Sequence, residues 1–257
     1  TEFSYQVLQS YDFLELYRRN NCTLQLGGSD QWGNIVAGLD LIRRVEQGSG
    51  HALTVPLLTK ADGTKFGKTA GGSVWLDPAM TSPYAFFQYW LNTDDKDVIN
   101  FLKVFSFKSH EEITALENAH KENPGLREAH RALARELTAL VHSQATTDRV
   151  EAAAKALFGQ GDLTELDEET LAGALAELPR TTVAKGDPIP TWVDLLAATG
   201  VVDSKSAARR IVKEGGAYLN NEKISGEDFA PQKSDFLCGK YAVLRKGKRD
   251  LAAVELI

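Results

Sequence analysis

Thr23-Leu-Gln-Leu-Gly-Gly-Ser-Asp-Gln-Trp-Gly-Asn34 holds three local signals in succession. Thr23-Leu-Gln-Leu26 reads as a short strand, Gly27-Gly28 turns the chain, and Ser29 or Asp30 can cap a helix from about Gln31 to Glu46. Strand, glycine turn and helix N-terminus in that order bind anions and ribose in doubly wound α/β folds. Plain N-capping by Asp30 explains the same residues without a ligand. Downstream, His51–Leu58 is β-branched and apolar and reads as the next strand. It delivers Lys60-Ala-Asp-Gly-Thr-Lys-Phe-Gly-Lys-Thr69, in which neither a helical nor a strand period runs. Asp62-Gly63 signals a turn. Three lysines, two glycines and two threonines suit a polyphosphate: ammonium groups neutralise charge, glycine lets backbone N–H groups approach, and a hydroxyl adds a donor. A solvated surface loop has the same composition.

Upstream, Phe3, Val7, Leu8, Tyr11, Leu14 and Tyr17 recur at helical spacing. Tyr5, Gln9 and Asp12 fall on the neighbouring stripe at i, i+4 and i+7, so one helix presents a phenol, an amide and a carboxylate side by side. Asn20-Asn21 ends it. The chain opens on Thr1 rather than Met, and Thr1–Leu16 already reads as folded, which suggests that polypeptide precedes it.

The composition is that of a soluble globular protein, with 43% hydrophobic and 25% charged residues. The length of 257 residues suits two or three domains. No apolar run approaches the roughly 20 residues of a membrane helix, and no signal peptide is visible. Cys22 and Cys238 stand far apart and read as reduced packing residues of a cytoplasmic protein. His51, His110, His120, His130 and His142 are scattered, the last four in helical stretches where solvated or capping roles are expected, and no metal site is expected. The net charge of −6 is unevenly spread: Ser204–Arg249 carries eleven Lys/Arg against five Asp/Glu. A basic module on an acidic body is the electrostatic footprint of a polyanion partner.

From Thr81-Ser82-Pro83 the chain turns helical, with Ser82 as cap and Pro83 in the first turn. Helices follow over Pro83–Leu91, Lys96–Phe105, from a Ser109/Glu112 capping box, from Asn123-Pro124 to about Val141, from Thr147 to Phe158, and over Glu168–Leu178. Thr181–Pro190 reads as a linker. Beyond it come helices Trp192–Thr199 and Ser206–Lys213, a strand Ala217–Asn220, and a hairpin of Tyr241–Arg245 with Asp250–Leu256 around Lys246-Gly247-Lys248.

Lys65-Phe66-Gly67-Lys68-Thr69 resembles the second signature loop of class I aminoacyl-tRNA synthetases, in the variant of the bacterial tyrosyl enzymes. Tyr5, Gln9, Asp12 and Gly27-Gly-Ser-Asp-Gln-Trp-Gly-Asn34 resemble the same family's tyrosine pocket, and Ser204–Asn220 resembles an S4-type RNA-binding domain. The resemblance implies an α/β chain: the C-terminal part of a Rossmann-like core over 1–82, a helical anticodon-side domain over 83–180 and an S4-like module over 188–257. The family's first, His-rich signature is not found in this sequence. By the resemblance, Tyr5 and Gln9 hold the ammonium of tyrosine, Asp12 its phenol, Gln31 its carboxylate and the α-phosphate, and Gly28 and Asp30 the adenylate ribose. Lys65, Phe66, Gly67, Lys68 and Thr69 close over the phosphates of ATP, which arrives with Mg2+. Arg209, Arg210, Lys213, Lys246 and Lys248 are the RNA-binding cations, and the implied partners are tRNA(Tyr), tyrosine, ATP and a second copy in a homodimer. A non-catalytic RNA-binding relative is the alternative. The sister tryptophan enzyme is disfavoured by the carboxylate at Asp12 and the S4-like module.

Overall fold

The computed structural model describes residues 2–64, 66, 73–186, 188–247 and 250–257. Contacts divide the chain into two compact units, Thr1–Ser73 and Val74–Ile257.

In the first unit, helix α1 (Glu2–Asn20) precedes strand β1 (Leu24–Gly28), a single 3-10 turn (Ser29–Gln31), helix α2 (Trp32–Glu46) and strand β2 (His51–Val55). β1 and β2 pair in parallel, Leu24 opposite His51 and Gly28 opposite Val55, which makes a βαβ unit. Asn21 takes a left-handed φ of 51° where α1 stops. The α1 stripe read from the sequence is buried only toward its C-terminal end, where Leu14 and Tyr17 join the core. Phe3, Val7, Leu8 and Tyr11 are exposed, and Phe13 and Leu14 pack with Ile42 of α2. Gly38 makes this possible: a Cβ there would meet Phe13 Cδ1 at 2.9 Å. Gly38→Val is therefore expected to cost about 1–3 kcal/mol by overpacking, read as a lower urea midpoint for the first unit. Arg18 adds a surface tie to Glu46 at 2.6 Å. The two strands place Leu24, Leu26, Leu53 and Val55 on an exposed face, with the alternate residues turned inward.

The second unit begins with six helices: α3 (Pro83–Leu91), α4 (Val98–Phe105), α5 (His110–Glu122), α6 (Glu128–His142), α7 (Gln144–Leu157) and α8 (Glu168–Leu175). Ser82 accepts from Ala85 N with Pro83 in the first turn, and both bonds of the Ser109/Glu112 capping box are made. Several helix starts differ from the sequence reading: neither Ser29 nor Asp30 makes a capping bond at α2, whose N-cap is Gln31, and α4 begins at Val98 rather than Lys96. Asn123-Pro124 opens a one-turn 3-10 helix, Arg127 then goes left-handed, and α6 begins at Glu128. α7 is capped by Ser143, while Thr147 is buried with its hydroxyl donating to Ser143 O at 2.9 Å. His130 is fully buried, not solvated. Burial first, and the nearby Arg127 guanidinium second, push its pKa below the ordinary value.

The remaining chain forms a five-stranded sheet, in order β3-β7-β6-β4-β5, under two helices. Its elements are β3 (Arg180–Val183), α9 (Trp192–Ala198), α10 (Lys205–Lys213), β4 (Ala217–Leu219), β5 (Glu222–Lys223), β6 (Tyr241–Lys246) and β7 (Asp250–Leu256). The hairpin read around Lys246-Gly247-Lys248 is the antiparallel β6–β7 pair. The stretch read as a linker begins inside a strand: Arg180–Val183 pairs in parallel with β7 at the sheet's edge. Trp192, fully buried, donates from Nε1 to Tyr218 O at 3.1 Å and anchors this core with Leu196, Leu244 and Val254. The sheet module and the helices share contacts. Asn221 Nδ2 donates to Ala156 O at 2.6 Å, and Cys238 Sγ lies 3.8 Å from Leu166 O. Both cysteines are free thiols, and Cys238 is exposed rather than a packing residue. Among the described residues, no helix is long and apolar enough to cross a membrane.

Candidate functional site

Tyr5, Leu8, Gln9 and Asp12 lie on one stripe of α1 and face Leu26 of β1, Gln31 of the 3-10 turn and Ile35 of α2 across an open cleft of about 480 Å³. The four polar residues singled out from the sequence as amino-acid ligands thus border one space: a phenol, two amides and a carboxylate around an apolar floor. Such a wall suits a zwitterion with a polar tail. The stripe spacing hid one member. Leu8 sits between Tyr5 and Gln9 at i+3 and was assigned to the apolar stripe, yet it lines the cleft, as do Leu26 and Ile35. Asp12 is exposed, because the cleft is open on the side facing away from α2 and β1.

Gln31 is held at both ends of its amide: Asn34 Nδ2 donates to Gln31 Oε1 at 3.2 Å, and the Gln31 N–H₂ reaches Asp30 Oδ2 at 3.5 Å. Asn34 is a positioning residue that the sequence reading passed over. Gly28 ends β1 with extended dihedrals, and a Cβ there would lie 2.6 Å from Asp30 Oδ1. Glycine is what lets the Asp30 carboxylate fold back over the turn. Because β1 and β2 are parallel, the Gly28 turn and the segment after β2 leave from the same end of the pair, the end where α/β folds bind ligands.

That second segment is built up to the lysine loop. Lys60 N donates to Thr64 O at 2.8 Å and Gly63 N to Lys60 O at 2.9 Å, closing a turn with Gly63 at φ +81°. Asp62 accepts from Thr64 Oγ1 at 2.6 Å and Thr64 N at 2.8 Å, and these bonds hold its carboxyl below the usual pKa. Phe66 N returns to Leu58 O at 3.1 Å. Lys65, Gly67, Lys68 and Thr69 lie outside the described residues, as does Lys248.

On the sheet module, Arg209 and Lys213 share a face of α10, and both reach Glu227, at 3.7 and 3.0 Å. Arg210 turns instead to Glu214 at 3.8 Å, so the three cations do not form one row. Lys246 pairs with Asp250 at 3.0 Å. Arg245 stacks on the Tyr218 ring, 3.9 Å from its centroid.

Residues 1–159 match the family described as tRNA synthetases class I (W and Y), and residues 170–254 match the Tyrosine--tRNA ligase SYY-like C-terminal domain. The chain belongs to the class I tRNA synthetases. Its relatives include the tyrosine--tRNA ligase of Streptomyces avermitilis, 63% identical over all of this chain, and that of Streptomyces coelicolor, 61% identical over the same span. The chain spans about 60% of the length of these curated relatives. Among solved structures, a C-terminally truncated mitochondrial tyrosyl-tRNA synthetase from Aspergillus nidulans superposes with a TM-score of 0.51 at 30% identity, over 61% of this chain and 45% of the other. The first family match contains both the cleft and the lysine loop of this class I synthetase chain.

Proposed function

We propose that this chain carries the amino-acid cleft, the second signature loop and the tRNA-binding modules of a cytoplasmic tyrosine–tRNA ligase. The observation that carries this reading is the meeting of Tyr5, Gln9, Asp12 and Gln31 around one cleft, directly beside the Gly28 turn. Tyr5 and Gln9 receive the substrate ammonium, Asp12 accepts from the phenol hydroxyl, and Gln31 donates to the carboxylate and the α-phosphate. Gly28 and Asp30 take the ribose. The carboxylate of tyrosine attacks the α-phosphate of ATP, which enters with Mg2+, and pyrophosphate leaves. The terminal ribose hydroxyl of the tRNA then attacks the mixed anhydride. Neither step needs a nucleophile from the protein, so positioning and charge stabilisation carry the catalysis. Lys65, Phe66, Gly67, Lys68 and Thr69 serve the departing pyrophosphate.

The division into a core part over 1–82, a helical anticodon-side part over 83–180 and an S4-like module over 188–257 belongs to the same reading, as does a homodimer. The cations Arg209, Arg210, Lys213, Lys246 and Lys248 contact phosphates of tRNA(Tyr). The acidic partners of the first four are no obstacle, since surface ion pairs are worth only about 0–1 kcal/mol and an arriving phosphate replaces them.

The test is tyrosine-dependent exchange of labelled pyrophosphate into ATP, with phenylalanine and tryptophan as controls, on this chain and on a polypeptide of its relatives' length. Exchange with tyrosine alone in the longer polypeptide is the expected result. No exchange with any amino acid, with tRNA still bound, would leave a non-catalytic RNA-binding relative.

A further inference from the structure

Asp95, His120 and His130 come from three separate segments: the turn before α4, the last turn of α5 and the first turn of α6. Each offers a ligating atom within 4.8 Å of the other two. His130 Nε2 lies 3.1 Å from Asp95 Oδ1 and 3.1 Å from Thr93 O, and His120 Nε2 lies 3.2 Å from Asp95 O. The two imidazoles stand 5.5 Å apart between ring centroids. In the ion-free arrangement each Nε2 faces oxygens that only accept and so carries the ring proton; a cation bound there would move that proton to Nδ1, which on both rings is buried without a hydrogen-bond partner.

We propose that this cluster is a divalent transition-metal site, and that its ion is Zn2+. Two imidazoles and one carboxylate are a borderline donor set that suits zinc and excludes the all-oxygen preference of Mg2+ and Ca2+. Zinc bonds at about 2.0–2.2 Å place tetrahedral ligands within about 3.5 Å of one another. His130 Nε2 and Asp95 Oδ1, 3.1 Å apart, are already within that reach, and the bound of 4.8 Å on the other separations leaves a closure of about 1.3 Å at most. α5 and α6 already hold the rings side by side. The site lies in the helical part, away from the amino-acid cleft in sequence and in a different unit, so the ion's role is structural: it ties the 93–97 turn to two helices.

Zn2+ titrated by calorimetry into the chelator-treated chain tests this, with Co2+ absorption in the visible range as the signature of imidazole–carboxylate ligation. One equivalent is expected to bind, and His120→Ala and Asp95→Asn are each expected to weaken it by about 10-fold or more. Neither side chain is fully buried, so both variants should fold, which circular dichroism checks. His130→Gln provides a third variant. Should the two partly exposed variants fail to fold, the wild-type Co2+ spectrum decides: bands of tetrahedral intensity support the site, and the weak bands of hydrated Co2+ overturn it. Absence of stoichiometric binding by the wild-type chain, or binding unchanged in the His120→Ala/Asp95→Asn double variant, also overturns the proposal.

Discussion

Asp12→Ala, in a polypeptide of the relatives' length, should collapse the preference for tyrosine over phenylalanine. The reasoning follows from what a carboxylate does when its partner is missing. On the proposed reading, Asp12 accepts a charge-assisted hydrogen bond from the phenol hydroxyl when tyrosine is bound. With phenylalanine bound it faces a C–H edge and stays unpaired, which is costly only where water cannot replace the hydroxyl. Tyrosyl-tRNA synthetases reject phenylalanine by about 10⁵, a figure established for those enzymes and not one yielded by this cleft. Here Asp12 is exposed, so in this chain by itself water rescues the carboxylate and little selectivity is expected. In the closed site, losing a hydrogen bond to a charged group costs about 1.5–3 kcal/mol, or roughly 10- to 150-fold in kcat/KM for tyrosine. Phenylalanine loses nothing. Exchange kinetics with both amino acids measure the ratio, and an unchanged ratio would remove Asp12 from the phenol's site.

The second large effect concerns Lys68. Lys68→Ala should lower the rate of adenylate formation by about 10²–10³-fold while tyrosine affinity stays the same. A donor that meets charge only as it develops on the leaving pyrophosphate lowers the barrier without tightening the ground state. Lys65 acts on the same phosphates, so the double variant should fall well short of the product of the two single effects. Single-turnover adenylate formation with saturating tyrosine reads the rate, and equilibrium titration reads the affinity. A parallel loss of both would mean that the loop holds the amino acid instead.

The sequence disclosed those parts of the fold whose signals are local. Ser109 with Glu112, or Ser82 before Pro83, specify helix starts through bonds that close within four residues, whereas Gly27-Gly28, read as a turn, completes β1 opposite Thr54 and Val55, and the chain turns only at Ser29–Gln31. The cleft was legible for the same reason: Tyr5, Gln9 and Asp12 belong to one helical stripe whatever that helix packs on. What escaped was decided at a distance. Both flanks of α1 are apolar, and only the docking of Gly38 against Phe13 selects which one is buried. Arg180–Val183 is a strand because β7 lies beside it, and Thr-rich composition alone reads equally as a linker. His120 and His130 were scattered in sequence but meet in space because Arg127 takes a left-handed turn between their helices. Arg210 left the row of cations because Glu214 stands one helical turn on and captures it.

The joint between the sheet module and the helices has an asymmetry with a consequence for how such chains diversify. Asn221 supplies a side chain, whereas the helix end supplies only the main-chain oxygen of Ala156, which accepts from Gly159 N as well. Nearly any residue at that position would offer the same oxygen. The identity of this bond is therefore written on one side, and the helical body adds a side chain of its own only where the Glu168 carboxylate meets Lys240 at 3.8 Å, among the ion pairs of the described residues. Inheritance of the pair can drift on the helical side without uncoupling them.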